Sequence, residues 1–151
     1  MEETLQREIY RAARKQNQIG VIMADVDHFK RFNDHYGRTA GDFVLTQLAS
    51  LLRTRIRGVD VACRYGGEEF TLVFTETSLE TAVMRADQLK EEVKELRLRY
   101  AGREIGSIAL SMGVSAYPVN GTTPEELLRT ADAALYRAKQ AGRDRVVAAV
   151  E

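Results

Sequence analysis

The stretch Gly20-Val21-Ile22-Met23-Ala24-Asp25-Val26-Asp27 decides how the rest of the chain is read. A short apolar run bounded by glycine and closed by acids suits a buried central strand, apolar on both faces. Asp25 and Asp27 lie two apart at its carboxyl end, so both point the same way. Carboxylates there are placed to hold a hard cation. An acid ending a buried strand needs a partner, which makes Asp25 the sharper candidate. Asp27, just before a short helical segment, reads as that helix's N-cap.

Outward from this strand the pattern alternates helices with strands, without internal repeat or low-complexity stretch. Upstream, Met1 to about Gln16 reads as a helix with Leu5, Ile9, Ala12 and Ala13 on one stripe. Downstream, His28 to His35 is a short helix closed by Gly37, and Thr39 to Arg57 a longer one carrying Leu45, Leu48, Leu52 and Ile56. Val61–Arg64 and Phe70–Phe74 form a hairpin across Tyr65-Gly66-Gly67-Glu68-Glu69, whose glycines suit a tight turn. A capping box, Thr77-x-x-Glu80, opens the next helix. Ile105–Tyr117 is a strand region paired with a shorter segment near Arg99–Arg103. In the last helix Thr123 is the N-cap, Pro124 the first helical residue and Glu126 completes the box, with Gly142 beyond its end. Arg145–Val150 closes the sheet. The order implies an α/β (α+β) fold, a mixed sheet covered by helices on both faces.

The 151 residues fit one domain, 1–151, large enough to bury a core without disulfides. Apolar residues make up 44% and charged residues 29%, which argues against disorder. Lys plus Arg and Asp plus Glu number 22 each, so no basic field suggests nucleic acid. No apolar run approaches a membrane span and no signal-peptide pattern opens the chain, so a cytoplasmic domain without membrane contact of its own is expected. Cys63, the single cysteine, reads as a small core residue, and His28 and His35 lack metal-ligand spacing.

Taken alone, Glu68 and Glu69 are compatible with a solvated hairpin tip. If the hairpin lies beside Asp25, three carboxylates converge, an arrangement able to bind two divalent ions and a triphosphate. Asp25-Val26-Asp27-His28-Phe29-Lys30, Asn33-Asp34, Gly41-Asp42 and Arg64-Tyr65-Gly66-Gly67-Glu68-Glu69-Phe70 resemble the GGDEF family of diguanylate cyclases. Ala131-Asp132-Ala133-Ala134-Leu135-Tyr136-Arg137-Ala138-Lys139 and Gly142-Arg143 resemble the same family's closing motif. The blocks span nearly the whole chain in order.

The resemblance implies a five-stranded sheet wrapped by helices, related to nucleotidyl cyclases and polymerase palms. It implies condensation of two GTP into cyclic di-GMP at a site shared across a two-fold domain dimer. Two magnesium ions per site, with manganese as a substitute, would be held by Asp25, Glu68 and the carbonyl of Val26. Glu69 either assists the metals or serves as base for the ribose 3′-hydroxyl. Asn33 and Asp42 would read guanine, and Asp42 in particular speaks for GTP over ATP. Bare of the family pattern, Asn33 is a turn residue and Asp42 a first-turn helix acid. Lys139 and Arg143, with the amides of His28, Phe29 and Lys30, would bind phosphate.

Arg57-Gly58-Val59-Asp60 matches the family's RxxD pattern for product inhibition, with a further arm expected from the region of Arg85, Gln88 and Lys90. The family's DxLTGLxNRR stretch is missing ahead of the first helix, so the chain reads as a catalytic fragment of a longer sensor protein with an upstream regulatory domain, itself membrane-bound in some arrangements. Arg38 stands where the family usually has His. The rival reading is a non-catalytic module that binds GTP or cyclic di-GMP.

Overall fold

The computed structural model describes residues 1–64 and 67–150. Tyr65 and Gly66, expected at the hairpin turn, and Glu151 lie outside the described residues. In chain order the elements are α1 (Glu2–Lys15), β1 (Ile19–Val26), α2 (Phe29–Tyr36), α3 (Arg38–Arg55), β2 (Val61–Arg64), β3 (Glu69–Thr75) and α4 (Leu79–Lys94). Then follow β4 (Arg99–Tyr100), β5 (Arg103–Glu104), β6 (Leu110–Tyr117), α5 (Pro124–Gln140) and β7 (Val146–Ala148). The main sheet has the order β2-β3-β1-β6-β7, with β7 parallel to β6 and the other pairings antiparallel. This is the mixed five-stranded α+β architecture expected.

β1 is the middle strand and all eight of its residues are buried. The two-residue period of a strand splits them between two cores. Ile22, Ala24 and Val26 join Phe70, Leu72, Phe74, Leu110, Met112 and Val114 in a core covered by α2, α3 and α4. Ile19, Val21 and Met23 join Val73 in a second core beneath α1 and α5, filled by Leu5, Ile9, Leu127 and Leu135. Residues at odd positions of β1 and β3 therefore face α1 and α5. Asp25 and Glu69 are both odd.

α5 lies very close to the sheet. A Cβ at Gly113 of β6 would fall 2.1 Å from the carbonyl oxygen of Ala131 and 2.2 Å from the amide nitrogen of Leu135. The helix begins as its sequence signals require, with the Thr123 hydroxyl accepting from the Glu126 amide at 3.1 Å and Pro124 at the first helical position. Among the described residues, no helix is long and apolar enough to cross a membrane.

Two local expectations are corrected. The cap of α4 is Ser78, whose Oγ accepts from the Thr81 amide at 3.2 Å. Thr77 is instead buried, its hydroxyl donating to the Thr75 carbonyl at 2.7 Å, so the last residues of β3 claim it before the helix starts. The Arg99 segment does not pair with the strand before Tyr117. It folds back on Arg103–Glu104 as a separate two-stranded ribbon, and the strand proper starts only at Leu110.

Because the clash at Gly113 involves helix backbone, no side-chain rotation relieves it. Gly113→Ala is expected to cost about 2–3 kcal/mol, roughly 5–10 °C in Tm for a chain of this size. Thermal unfolding followed by circular dichroism checks this, and an unchanged Tm would contradict the seating of α5 on β6.

Candidate active site

Register brings the acids together. Asp25 of β1 stands directly opposite Glu69 of β3, two like charges across an antiparallel pair. Asp25 is only 6% exposed. Lys139, from the last turn of α5, donates to its Oδ2, and its Oδ1 is buried with no hydrogen-bond partner. The Glu69 carboxyl has its proton affinity raised, first by burial, then by Asp25 and Asp132, with Lys139 partly offsetting them and Glu68 adding to the rise. An orphaned carboxylate oxygen beside a carboxyl crowded by acids is a site short of positive charge.

Asp27 is not the N-cap of α2. Ser111 Oγ donates to its Oδ1 at 2.5 Å and the Asp144 amide to its Oδ2 at 2.9 Å. The helix instead starts from His28 in a left-handed conformation (φ 55°), without a side-chain cap. Asp27 thus ties β1 to β6 and to the segment after α5. Arg143 and Asp144 in that segment also have positive φ (65° and 49°), and the Arg143 amide donates to the Ala138 carbonyl at 2.9 Å. This tight turn returns the chain to the mouth of the site.

Asp25, Val26, Asp27, His28, Phe29, Lys30, Glu68, Lys139 and Arg143 line one cleft of about 190 Å³. The first-turn amides of a helix have no partners within the helix, so α2 opens onto this cleft with donors to spare. Lys139 and Arg143 supply the cations. Arg64 Nε and a terminal nitrogen donate to the Gly67 carbonyl at 3.0 and 2.7 Å. Among the described residues, no three His, Cys, Asp or Glu side chains form a ready-made cation cage. The full convergence of three carboxylates expected from sequence is therefore seen only as the Asp25–Glu69 pair, with Glu68 lining the same cleft. Orphaned Asp25 Oδ1 and an all-oxygen donor set fit a hard divalent ion.

Asn33 on α2 and Asp42 on α3 both lie at the corner between the two helices. The Asn33 side chain packs against Gly41, where a Cβ would fall 1.8 Å from its Oδ1. That oxygen is buried and unpartnered. Asp42, the next residue along α3, is exposed. Phe29 joins this corner to the cleft, since it lines the cleft and its ring also approaches Gly41.

A second cluster lies beyond the opposite end of β3. The Asp60 side chain is wholly buried. Its Oδ1 accepts from Arg57 at 3.0 Å and from the Thr75 amide at 3.1 Å. Its Oδ2 accepts from the Arg57 amide at 3.0 Å, Arg57 Nε at 3.1 Å and Arg85 at 3.2 Å. Burial pushes the Asp60 carboxyl up, but the bonds from the Arg57 side chain, the Arg57 and Thr75 amides and Arg85 outweigh it, and its pKa is lowered. Of the three candidates for a further arm, Arg85 is the one that arrives, its guanidinium stacked 3.7 Å from the centroid of Phe74. Lys90 is engaged by Asp87 and Glu91.

Sequence reasoning missed Ser111 and Asp144, which hold Asp27, and gave Arg64 no part beyond its place in the family block. It also gave no part to Asp132, whose charge acts on Glu69.

Residues 1–145 match the family described as Diguanylate cyclase, GGDEF domain. Diguanylate cyclase A of Treponema denticola is 39% identical over 132 residues, 87% of this chain and 35% of the relative. Response regulator PleD of Caulobacter vibrioides is 40% identical over 130 residues, 85% of this chain and 29% of the relative. The chain thus spans about a third of the length of these relatives. Among solved structures, the GGDEF domain of DgcB from Caulobacter crescentus, in complex with c-di-GMP, superposes with a TM-score of 0.89 at 31% identity, covering 97% of this chain and 86% of that one. The active GGEEF domain of a diguanylate cyclase from Vibrio cholerae gives a TM-score of 0.90 at 32% identity, covering 99% and 94%. The match over nearly the whole length, together with the acids at the end of β1 and in the turn before β3, makes this chain a member of the diguanylate cyclase GGDEF-domain family.

Proposed function

We propose that this domain condenses two molecules of GTP into cyclic di-GMP, releasing two pyrophosphates. The observation that carries the reading is the buried, unpartnered oxygen of Asp25 beside Glu69, in a cleft whose other walls are phosphate-binding groups. Asp25, Glu68 and the Val26 carbonyl would hold two magnesium ions, or manganese in their place, with Glu69 alongside. Bound there, the ions would lower the pKa of the ribose 3′-hydroxyl and neutralise charge on the triphosphate. The α2 amides at His28, Phe29 and Lys30, with Lys139 and Arg143, grip the phosphates and orient the α-phosphorus for in-line attack. Glu69 stands beside the metals, where it either assists them or receives the 3′-hydroxyl proton. Asp42 accepts from the N1 and N2 donors of guanine while Asn33 serves O6 or N3, which selects GTP over ATP.

One cleft holds one GTP, so two domains related by a two-fold axis present each 3′-hydroxyl to the other's α-phosphate. In each half-reaction the new 3′-O–P bond forms as the bond from the α-phosphorus to its bridging oxygen breaks. Because the substrate is a cytoplasmic nucleotide, the domain works on that side of any membrane, coupled to the regulatory part of a longer protein.

Lys139, which donates to Asp25 Oδ2 and lines the cleft, brings a positive charge to both the acid and the phosphates in this reading.

Arg57, Asp60 and Arg85 form the proposed product-inhibition site. Both Asp60 oxygens are already engaged, so its part is to aim the two arginines. Their planar forks are the groups a guanine or phosphate of cyclic di-GMP meets first.

Incubating the concentrated domain with GTP and magnesium should yield cyclic di-GMP and pyrophosphate on chromatography, and nothing from ATP. Asp25→Asn and Glu68→Gln should each lower turnover by about 100-fold or more. Wild-type rates in either would sink the metal assignment. If the native chain gives no product even when fused to a strong dimerising partner, the domain is a binding module.

Arg57→Ala should raise the cyclic di-GMP concentration for half-inhibition by about tenfold or more without changing the initial rate. An unchanged inhibition curve would place the product site elsewhere.

Asp60→Asn should cost about 2–3 kcal/mol at pH 7, measured by urea unfolding. Since the folded-state pKa of Asp60 lies below its ordinary 3.8, the stability it contributes is complete above that value. It is lost as pH falls through the lowered value. The gap between wild type and variant should therefore close only in strong acid, and a gap constant with pH would rule out the charge as its source.

A further inference from the structure

The outer side of α2, turned away from the guanine corner, carries a cavity that the proposed reaction leaves unused. It measures about 440 Å³ and lies between α2 and the segment leading into β6. That volume falls in the usual range of small-molecule sites, about 300–1,000 Å³. Its floor is apolar: Phe32 and Tyr36 from α2, Ile108 and Ala109 from the opposite wall. Phe29 and Phe32 lie nearly parallel at 6.2 Å, and Phe32 and Tyr36 meet at 4.8 Å with their planes tilted by 42°. His35 meets Tyr36 edge-on at 4.4 Å, and the Arg103 guanidinium lies 5.4 Å from the Tyr36 centroid.

Arg31 supplies a cation at the rim, where it is exposed together with His28 and His35. Among the described residues, neither Arg31 nor Arg103 enters a salt bridge. The one acid in the lining, Asp27, has both oxygens taken by Ser111 and the Asp144 amide. Aromatic rings beside arginines that enter no salt bridge among the described residues favour a flat, negatively charged guest.

We propose that this cavity is a second ligand site for a small planar aromatic anion, with its ring on Phe32 and Tyr36 and its acidic group at Arg31. The chain has zero net charge, which favours a small molecule over a nucleic-acid strand. The site shares Asp27 and His28 with the substrate cleft, so its guest sits one wall away from the phosphates. It does not depend on the proposed cyclase reaction.

The probe is 8-anilinonaphthalene-1-sulfonate, followed by its fluorescence and by amide shift mapping on the isotope-labelled full chain. One probe should bind per chain, saturably, with amide shifts centred on Phe32, Tyr36 and Ile108. Arg31→Glu, an exposed change that leaves the core intact, should weaken binding about tenfold or more. Arg14→Glu, on α1, should leave it unchanged. Equal affinity in Arg31→Glu, shifts centred elsewhere, or absence of saturable binding would each overturn the proposal. Preference of the same residues for a short thymidine oligonucleotide over the probe would overturn it too, in favour of a nucleic-acid surface.

Discussion

Everything at the active site depends on the pairing of β1 with β3, which sets Asp25 against Glu69. A strand buried on both faces has no freedom to slip, because a shift of one residue would send Ile22 and Ala24 into the wrong core. Hydrophobic parity thus fixes the position of two carboxylates that hydrophobicity itself cannot recognise. The packing holds like charges together against their repulsion.

The positive side of the site comes by a different route. α5 is seated on β6 through the bare backbone of Gly113, and its Ala131, Ala134 and Ala138 are fully buried. This close seat carries Lys139 to Asp25 at the helix end. The turn beyond, with Arg143 and Asp144 in left-handed conformations, then delivers Arg143 to the cleft and an amide to Asp27. Acids arrive on strands and cations on a helix end. Each is fixed by its own packing rather than by attraction to the other.

The central strand and the α5 caps were legible in the sequence because their signals are local. An apolar run closed by acids, or a Thr-Pro pair at a helix start, needs no knowledge of distant residues. Asp27 was misread for the complementary reason. Its partners Ser111 and Asp144 lie 84 and 117 positions away, and no local pattern announces them. The Thr77 and Ser78 error had a similar origin, since either residue can cap a helix and only the burial of Thr77 decides between them. Arg85 was one of three candidates, and only the fold shows which one reaches Asp60.

The contact between Asn33 and Gly41 constrains how this domain can evolve. Asn33 occupies space that any side chain at position 41 would claim, so the two positions do not vary independently. A larger residue at 41 is tolerated only after 33 has shrunk or turned away, and that first step already gives up the amide beside Asp42. On the proposed guanine-reading role of Asn33, routes to a new base preference pass through an intermediate that reads the old base poorly. Selection would see that barrier at a glycine whose missing side chain adds only the room it leaves.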